Sequence, residues 1–174
     1  MALLTMMVVF AMHALTSIAE KKETITSTRD MSKYQDPVSI IKSGSTLFLF
    51  WTSMGGLLGS PVQCVYSTYV AQEEKAKAYR RTLIFLRTDG SRKTLTTWNL
   101  RLEVSQEGTK PARIEATKEP NNSQVQLKQR PIFTVIVIFA DSRCLVLKDD
   151  TSVNSKACYM WSTGGRNKKP SSYC

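Results

Sequence analysis

"RRTLIFLRTDGSRKTLTTWNLRLEV", residues 80–104, decides the fold. Two apolar runs rich in aromatic and β-branched residues flank a Thr-Asp-Gly-Ser turn, and Asp89-Gly90 is a dipeptide that favours tight hairpins because glycine takes positive φ without a Cβ clash. The second run alternates. Thr96, Trp98, Leu100, Leu102 and Val104 share one parity; Leu95, Thr97, Asn99, Arg101 and Glu103 share the other. A period of two with one apolar side is the mark of a half-buried strand. The stretch therefore predicts an antiparallel hairpin with one dry face and one wet face.

The same grammar continues on both sides. Upstream, "TLFLFWTS" gives way to the glycine-rich "MGGLLGSP", and "VQCVYSTYV" to the charged connector "AQEEKAKAY". Downstream come "ARIEATK" and "VQLKQR", counted as one interrupted strand, then "IFTVIVIFA", "CLVLK" and "KACYMWST". That makes eight strands joined by turns, with no helical crossover, so the fold class is all-β. An antiparallel meander of eight strands closes into an up-and-down barrel that can hold one small ligand. A two-sheet sandwich is the competing arrangement. Ahead of the strands, "YQDPVSIIKSG" places Asp36 as an N-cap, Pro37 as the first helical residue and Gly44 as the stop, which predicts one short helix of about two turns.

Composition bounds what such a barrel can do. The chain of 174 residues is 42% hydrophobic, enough for one domain with a core. Its first nineteen residues, "MALLTMMVVFAMHALTSIA", carry no Lys, Arg, Asp or Glu and end in Ser17-Ile18-Ala19, small residues where a signal peptidase cuts. A transmembrane anchor is the alternative, but the apolar run is short and interrupted by His13 and Thr16. The expected organisation is a signal peptide over 1–19, a polar arm over 20–32, and the barrel over 33–174. Secretion is expected, without membrane association. Removing the leader also removes His13, the one histidine, and with it any Ser-His-Asp or Cys-His catalysis and any His-based metal site. The remaining carboxylates recur at no motif spacing, so no enzyme, metal or cofactor is expected. A net charge of +10 is spread over dispersed Lys and Arg with no nucleic-acid-binding motif, which reads as a solvated basic surface. Asn121-Asn122-Ser123 is a glycosylation sequon in a turn rich in Pro and Asn.

Four cysteines, Cys64, Cys144, Cys158 and Cys174, suggest two disulfides in a secreted chain. In "CLVLKDDTSVNSKACYMW", residues 144–161, reflection about position 151 or 152 brings Cys144 opposite residues 158–160. A Cys144–Cys158 staple is the expectation, which leaves Cys64 for Cys174. A redox pair is disfavoured because no CxxC, histidine or helix N-terminus lowers a thiol pKa.

Read together, "YQDPVSII", "QCVYSTY", "CLVLKDD", "CYMWST" and the terminal "YC" resemble the tick salivary lipocalins, the group that includes the histamine-binding proteins. The resemblance runs from about Tyr34 to Cys174, and departs from the family at Pro37-Val38, where Ala-Trp is frequent. It implies an eight-stranded lipocalin barrel and the same two disulfides. Amine-binding members place carboxylates inside the barrel to neutralise a cationic ligand. Mapped onto this chain, the aromatic is kept at Phe133, while the acidic positions read Val135, Leu145 and Tyr159; Trp161 is kept. The resemblance thus implies a lipocalin that has lost its amine-binding carboxylates.

A lining of Phe48, Phe50, Met54, Phe85, Trp98, Phe133, Val135, Leu145, Tyr159 and Trp161, with Arg80 and Arg101 as cations near the mouth, suits a small hydrophobic or anionic host mediator such as a fatty acid, eicosanoid or steroid-like molecule. The plain alternative for each residue is a barrel core filled with aromatics. For the whole chain, the alternatives are a scaffold whose surface binds a host defence protein, and an amine binder if the carboxylates are misaligned. The expected species is a monomer, secreted in saliva, with no nucleic-acid partner.

Overall fold

The computed structural model describes residues 32–53, 62–73, 76–120, 130–151 and 157–164. The leader, most of the arm, Met54, the sequon at Asn121, "VQLKQR" up to Gln129, and Cys174 lie outside the described residues.

The strands are β1 (Leu47–Thr52), β2 (Val62–Ser67), β3 (Tyr69–Glu73), β4 (Ala78–Asp89), β5 (Arg92–Ser105), β6 (Arg113–Lys118), β7 (Phe133–Ala140), β8 (Cys144–Asp149) and β9 (Cys158–Ser162). All described pairings are antiparallel. The ladder runs β2-β1-β9-β8-β7-β6-β5-β4-β3, and β2 also pairs with β4, which closes a ring of eight. The ninth segment, β3, continues β2 after an interruption at Thr68. Both lie along β4, and the Thr68 and Thr82 hydroxyls meet at 2.7 Å to join the ladder across the gap. The result is the closed, eight-stranded antiparallel barrel expected from the strand count.

The deciding hairpin forms as its sequence requires. Asp89 pairs with Arg92 around Gly90-Ser91, and Gly90 sits at φ +58°, the left-handed region a two-residue loop demands. Of the alternating residues, Leu100 and Val104 are buried and Asn99 and Glu103 exposed. On β4, Tyr79, Arg81, Leu83 and Phe85 point in. The core continues through Ile114, Val135, Val137, Leu145, Leu147, Tyr159 and Trp161 on successive strands.

The helix is shorter than expected. Helix α1 covers only Val38–Ile41, preceded by a 3-10 turn at Ser32–Tyr34. The Asp36 carboxylate does accept from the Val38 N–H at 2.9 Å. From Ile41 on, however, alternate carbonyls, those of Ile41, Ser43 and Ser45, accept from the Arg81 guanidinium instead of closing further helical turns. Ile40 and Ile41 are wholly buried and close this end of the barrel.

The hairpin staple is not formed. In the β8–β9 ladder Cys144 lies opposite Ser162, and Cys158 opposite Lys148. An offset of four residues at ~3.4 Å each separates the two cysteines by roughly 14 Å along the strands, about twice what a disulfide spans. The loop does not reflect about its sequence midpoint, so the reflection argument fails. Cys144 is buried and disulfide-bonded, and Cys64 is an exposed free thiol at φ +53° within an irregular part of β2, so neither expected pairing is observed.

Candidate functional site

Parity determines the interior. On β8 and β9 the buried side chains Leu145, Leu147, Tyr159 and Trp161 face inward; on β7 Phe133, Val135 and Val137 do so, and on β6 Ile114 and Ala116. Between them lies a cavity of about 60 Å³. Its wall includes Leu83, Leu100, Phe133, Val135, Leu145 and Trp161, and among the described residues the hydroxyl and charged side chains on it are Ser67 and Arg81.

Arg81 forms the floor. It is 2% exposed, and all five of its N–H groups are spent: Nε donates to Ser67 Oγ at 3.0 Å, Nη1 to the Ile41 and Ser43 carbonyls at 2.7 and 3.0 Å, and Nη2 to the Ser45 and Ser67 carbonyls at 3.0 Å each. Burial pulls its pKa down to about 10, so it stays charged at neutral pH. None of these partners is a carboxylate. With every donor committed, Arg81 ties the floor together and has no hydrogen bond left for a guest.

The upper side of the cavity is aromatic. Phe85 and Trp98 stand one inward step above Leu83 and Leu100, on the side of the β4–β5 hairpin, and meet edge-on at 5.2 Å between centroids. Lys118 ends β6 on the inward parity of Ile114 and Ala116, and its Nζ lies 4.8 Å from the Trp98 ring centroid. Arg87, exposed, follows Phe85 on the same parity of β4. Across the mouth, Asp149 follows Leu147 on β8; its Oδ1 accepts from the Thr151 N–H at 2.8 Å and so shapes the turn after the strand. Burial, and then the Asp149 charge, push the Tyr159 hydroxyl pKa up.

The residues expected at the site divide accordingly. Phe133, Val135, Leu145 and Trp161 line the cavity. Phe85 and Tyr159 are buried in the surrounding core, and Trp98 packs against it at the upper end. Phe48 takes the parity opposite to the cavity-lining Leu47 and tilts against Tyr66, while Phe50 is exposed. Arg80 and Arg101 are not at the mouth. They oppose each other on the outer face and are held there by glutamates: Arg80 Nε is 2.9 Å from Glu119, Arg101 Nε donates to Glu73 at 3.0 Å, and Arg101 Nη1 bonds Glu103. The hydrogen bond from Arg101 holds the Glu73 carboxyl below its ordinary range against the opposing effect of burial. Lys118 and Arg81 were missed, and parity was the available signal. Arg81 shares its side of β4 with Leu83 and Phe85, and Lys118 shares its side of β6 with Ile114 and Ala116.

Comparison with known proteins places the chain. Residues 25–174 match the sequence model of the tick histamine-binding protein family. Among solved structures, Japanin from Rhipicephalus appendiculatus bound to cholesterol superimposes with a TM-score of 0.52, at 22% sequence identity, over 75% of this chain and 83% of that one. That likeness carries the fold. No curated protein matches the chain.

Proposed function

The chain belongs to the tick histamine-binding protein family of salivary lipocalins, and on that premise we propose that it is secreted and sequesters a small host mediator with an apolar body and an anionic head, fatty-acid- or eicosanoid-like. It acts by burial and not by turnover. The observation that carries this reading is the cavity wall: among the described residues it is apolar except for Ser67 and an Arg81 that is already satisfied, and of the charges on the inward parity at the mouth Asp149 accepts from the Thr151 N–H while the cation Lys118 rests on a ring. A buried cationic amine needs a carboxylate partner, and the positions where the family resemblance implies acids are Val135, Leu145 and Tyr159, all within the apolar core. The sterol held by Japanin supports an apolar guest in this architecture; the rim cation favours a charged head over a neutral one.

At about 60 Å³ the cavity is far below the several hundred Å³ of a lipid-sized pocket, so uptake requires side chains at the upper end to move. Isothermal titration of the delipidated chain with oleate, leukotriene and histamine tests the proposal. Saturable one-to-one binding of an acid, without binding of histamine, is the expected result.

A second reading, a scaffold that grips a host protein, is favoured by one observation. Trp51, 51% exposed, stands opposite Met160, which stands opposite Val146, and that opposite Phe139, an apolar row across four strands of the outer wall. A stable complex with a host protein and no uptake of any lipid would select that reading.

A further inference from the structure

We propose that Lys118, resting on Trp98 at the mouth of the barrel, is the residue that selects an anionic head group, and that it leaves the indole for that head as the apolar tail displaces the Trp98–Phe85 pair beneath. This inference rests on the sequestration reading and specifies how its ligand is chosen. Four observations lead to it.

The first is position. Trp98 and Phe85 stand between the cavity wall at Leu83 and Leu100 and the hairpin end of the barrel, so a tail that reaches the cavity from that end passes them. The second is volume. A space of about 60 Å³ is too small for an alkyl chain until a side chain moves, and Trp98, half-buried where Phe85 is 2% exposed, is the partner with room to swing.

The third is the fate of the other cations nearby: Arg87 stands one step beyond Phe85 on the inward parity of β4, whereas Lys118 is the one seated on the Trp98 ring. Arg81 has all five donors on backbone and hydroxyl acceptors; Arg80 and Arg101 face outward among Glu73, Glu103 and Glu119. None of the ion pairs among the described residues involves Lys118, whose ammonium contacts a ring face. The fourth is the strength of the exchange. An ammonium on an indole at a partly exposed site is held weakly, whereas an ammonium donating to a carboxylate beside an apolar wall forms a charge-assisted hydrogen bond roughly twice as strong as a neutral one. Handing Lys118 from ring to head group is therefore favourable, and it frees the indole at the moment the tail needs its space.

The test compares oleate with methyl oleate, the same tail without the charge, by isothermal titration against the full delipidated chain, Lys118→Met, Lys118→Arg and the outer-wall control Arg101→Gln. Thermal midpoints within a degree or two of the parent confirm that the Lys118 variants, altered at an exposed position, remain folded. Wild type is expected to prefer oleate. Lys118→Met is expected to weaken oleate about tenfold, the value of one charge-assisted hydrogen bond, while leaving methyl oleate within about twofold, and Lys118→Arg to restore most of the loss. Equal binding of acid and ester by wild type, or an unchanged preference in Lys118→Met, overturns the role of Lys118 and leaves sequestration standing. Failure of wild type to bind either lipid overturns sequestration itself, and this inference with it.

Discussion

Arg80 and Arg81 are adjacent and identical in type, yet one side chain lies among outer glutamates and the other is sealed under the barrel. Strand parity alone separates them. Truncating Arg81 to Met strands the buried carbonyls of Ile41 and Ser67 and the Ser67 hydroxyl, and frees the half-buried carbonyls of Ser43 and Ser45; because each stranded buried group costs ~1–3 kcal/mol, a loss of about 3 kcal/mol or more is expected in urea unfolding at constant m value. Arg81→Lys, with three donors for five acceptors, is expected to recover only part of it. Glu73 supplies a pH signature. Its folded pKa lies below the ordinary 4.5, so between those two values the unfolded chain binds more protons than the folded one, and stability rises with pH through that window. The contribution is complete above about 4.5 and disappears as pH falls through the folded value. Glu73→Gln is expected to flatten the acid limb of a stability-against-pH curve relative to wild type, and identical limbs would show that the Arg101 contact contributes nothing. At this scale the sequence was legible as alternation but not as absolute inside and outside: the wet parity of β5 already held Arg101, and treating it as a mouth residue overrode that pattern.

At the scale of elements, the strand-and-turn alternation carried most of the fold, because half-buried strands must alternate and tight turns need residues such as Gly90. What it did not carry was register. The Cys144–Cys158 expectation assumed a loop symmetric about its midpoint, but the ladder pairs Cys144 with Ser162. Peptide mapping without reduction is expected to yield no cross-link between Cys144 and Cys158; finding one would require a different β8–β9 register. The helix was legible at its start, where Asp36 caps Val38, but not at its end, since the carbonyls of Ile41, Ser43 and Ser45 are claimed by an arginine some 40 residues away in sequence. Asp36→Ala is expected to cost about 1 kcal/mol in denaturant unfolding, the ordinary value of a side-chain cap.

For the whole molecule, closure of β2 onto both β1 and β4 leaves a lumen whose floor is fixed by Arg81 and whose upper end is occupied by Phe85, Trp98 and Lys118. The floor is over-determined by hydrogen bonds; the upper end rests on ring contacts, which are weaker and exchangeable. Uptake should therefore occur at the upper end, and a ligand at 100 times its Kd should stabilise the fold by about 2.7 kcal/mol. Four of the expected lining residues were legible because they lie on strands with strong alternation or match the family motifs. Phe48 and the two mouth arginines were not, because choosing between faces requires the register. The most direct measurement is native mass spectrometry of the delipidated chain with oleate and histamine together, beside Val135→Phe, which fills the lumen at a cost to stability of about 1–3 kcal/mol. One oleate per wild-type chain, none on Val135→Phe and no bound histamine is the expected result; histamine on the wild type, or oleate retained equally by the filled variant, would contradict burial in the barrel.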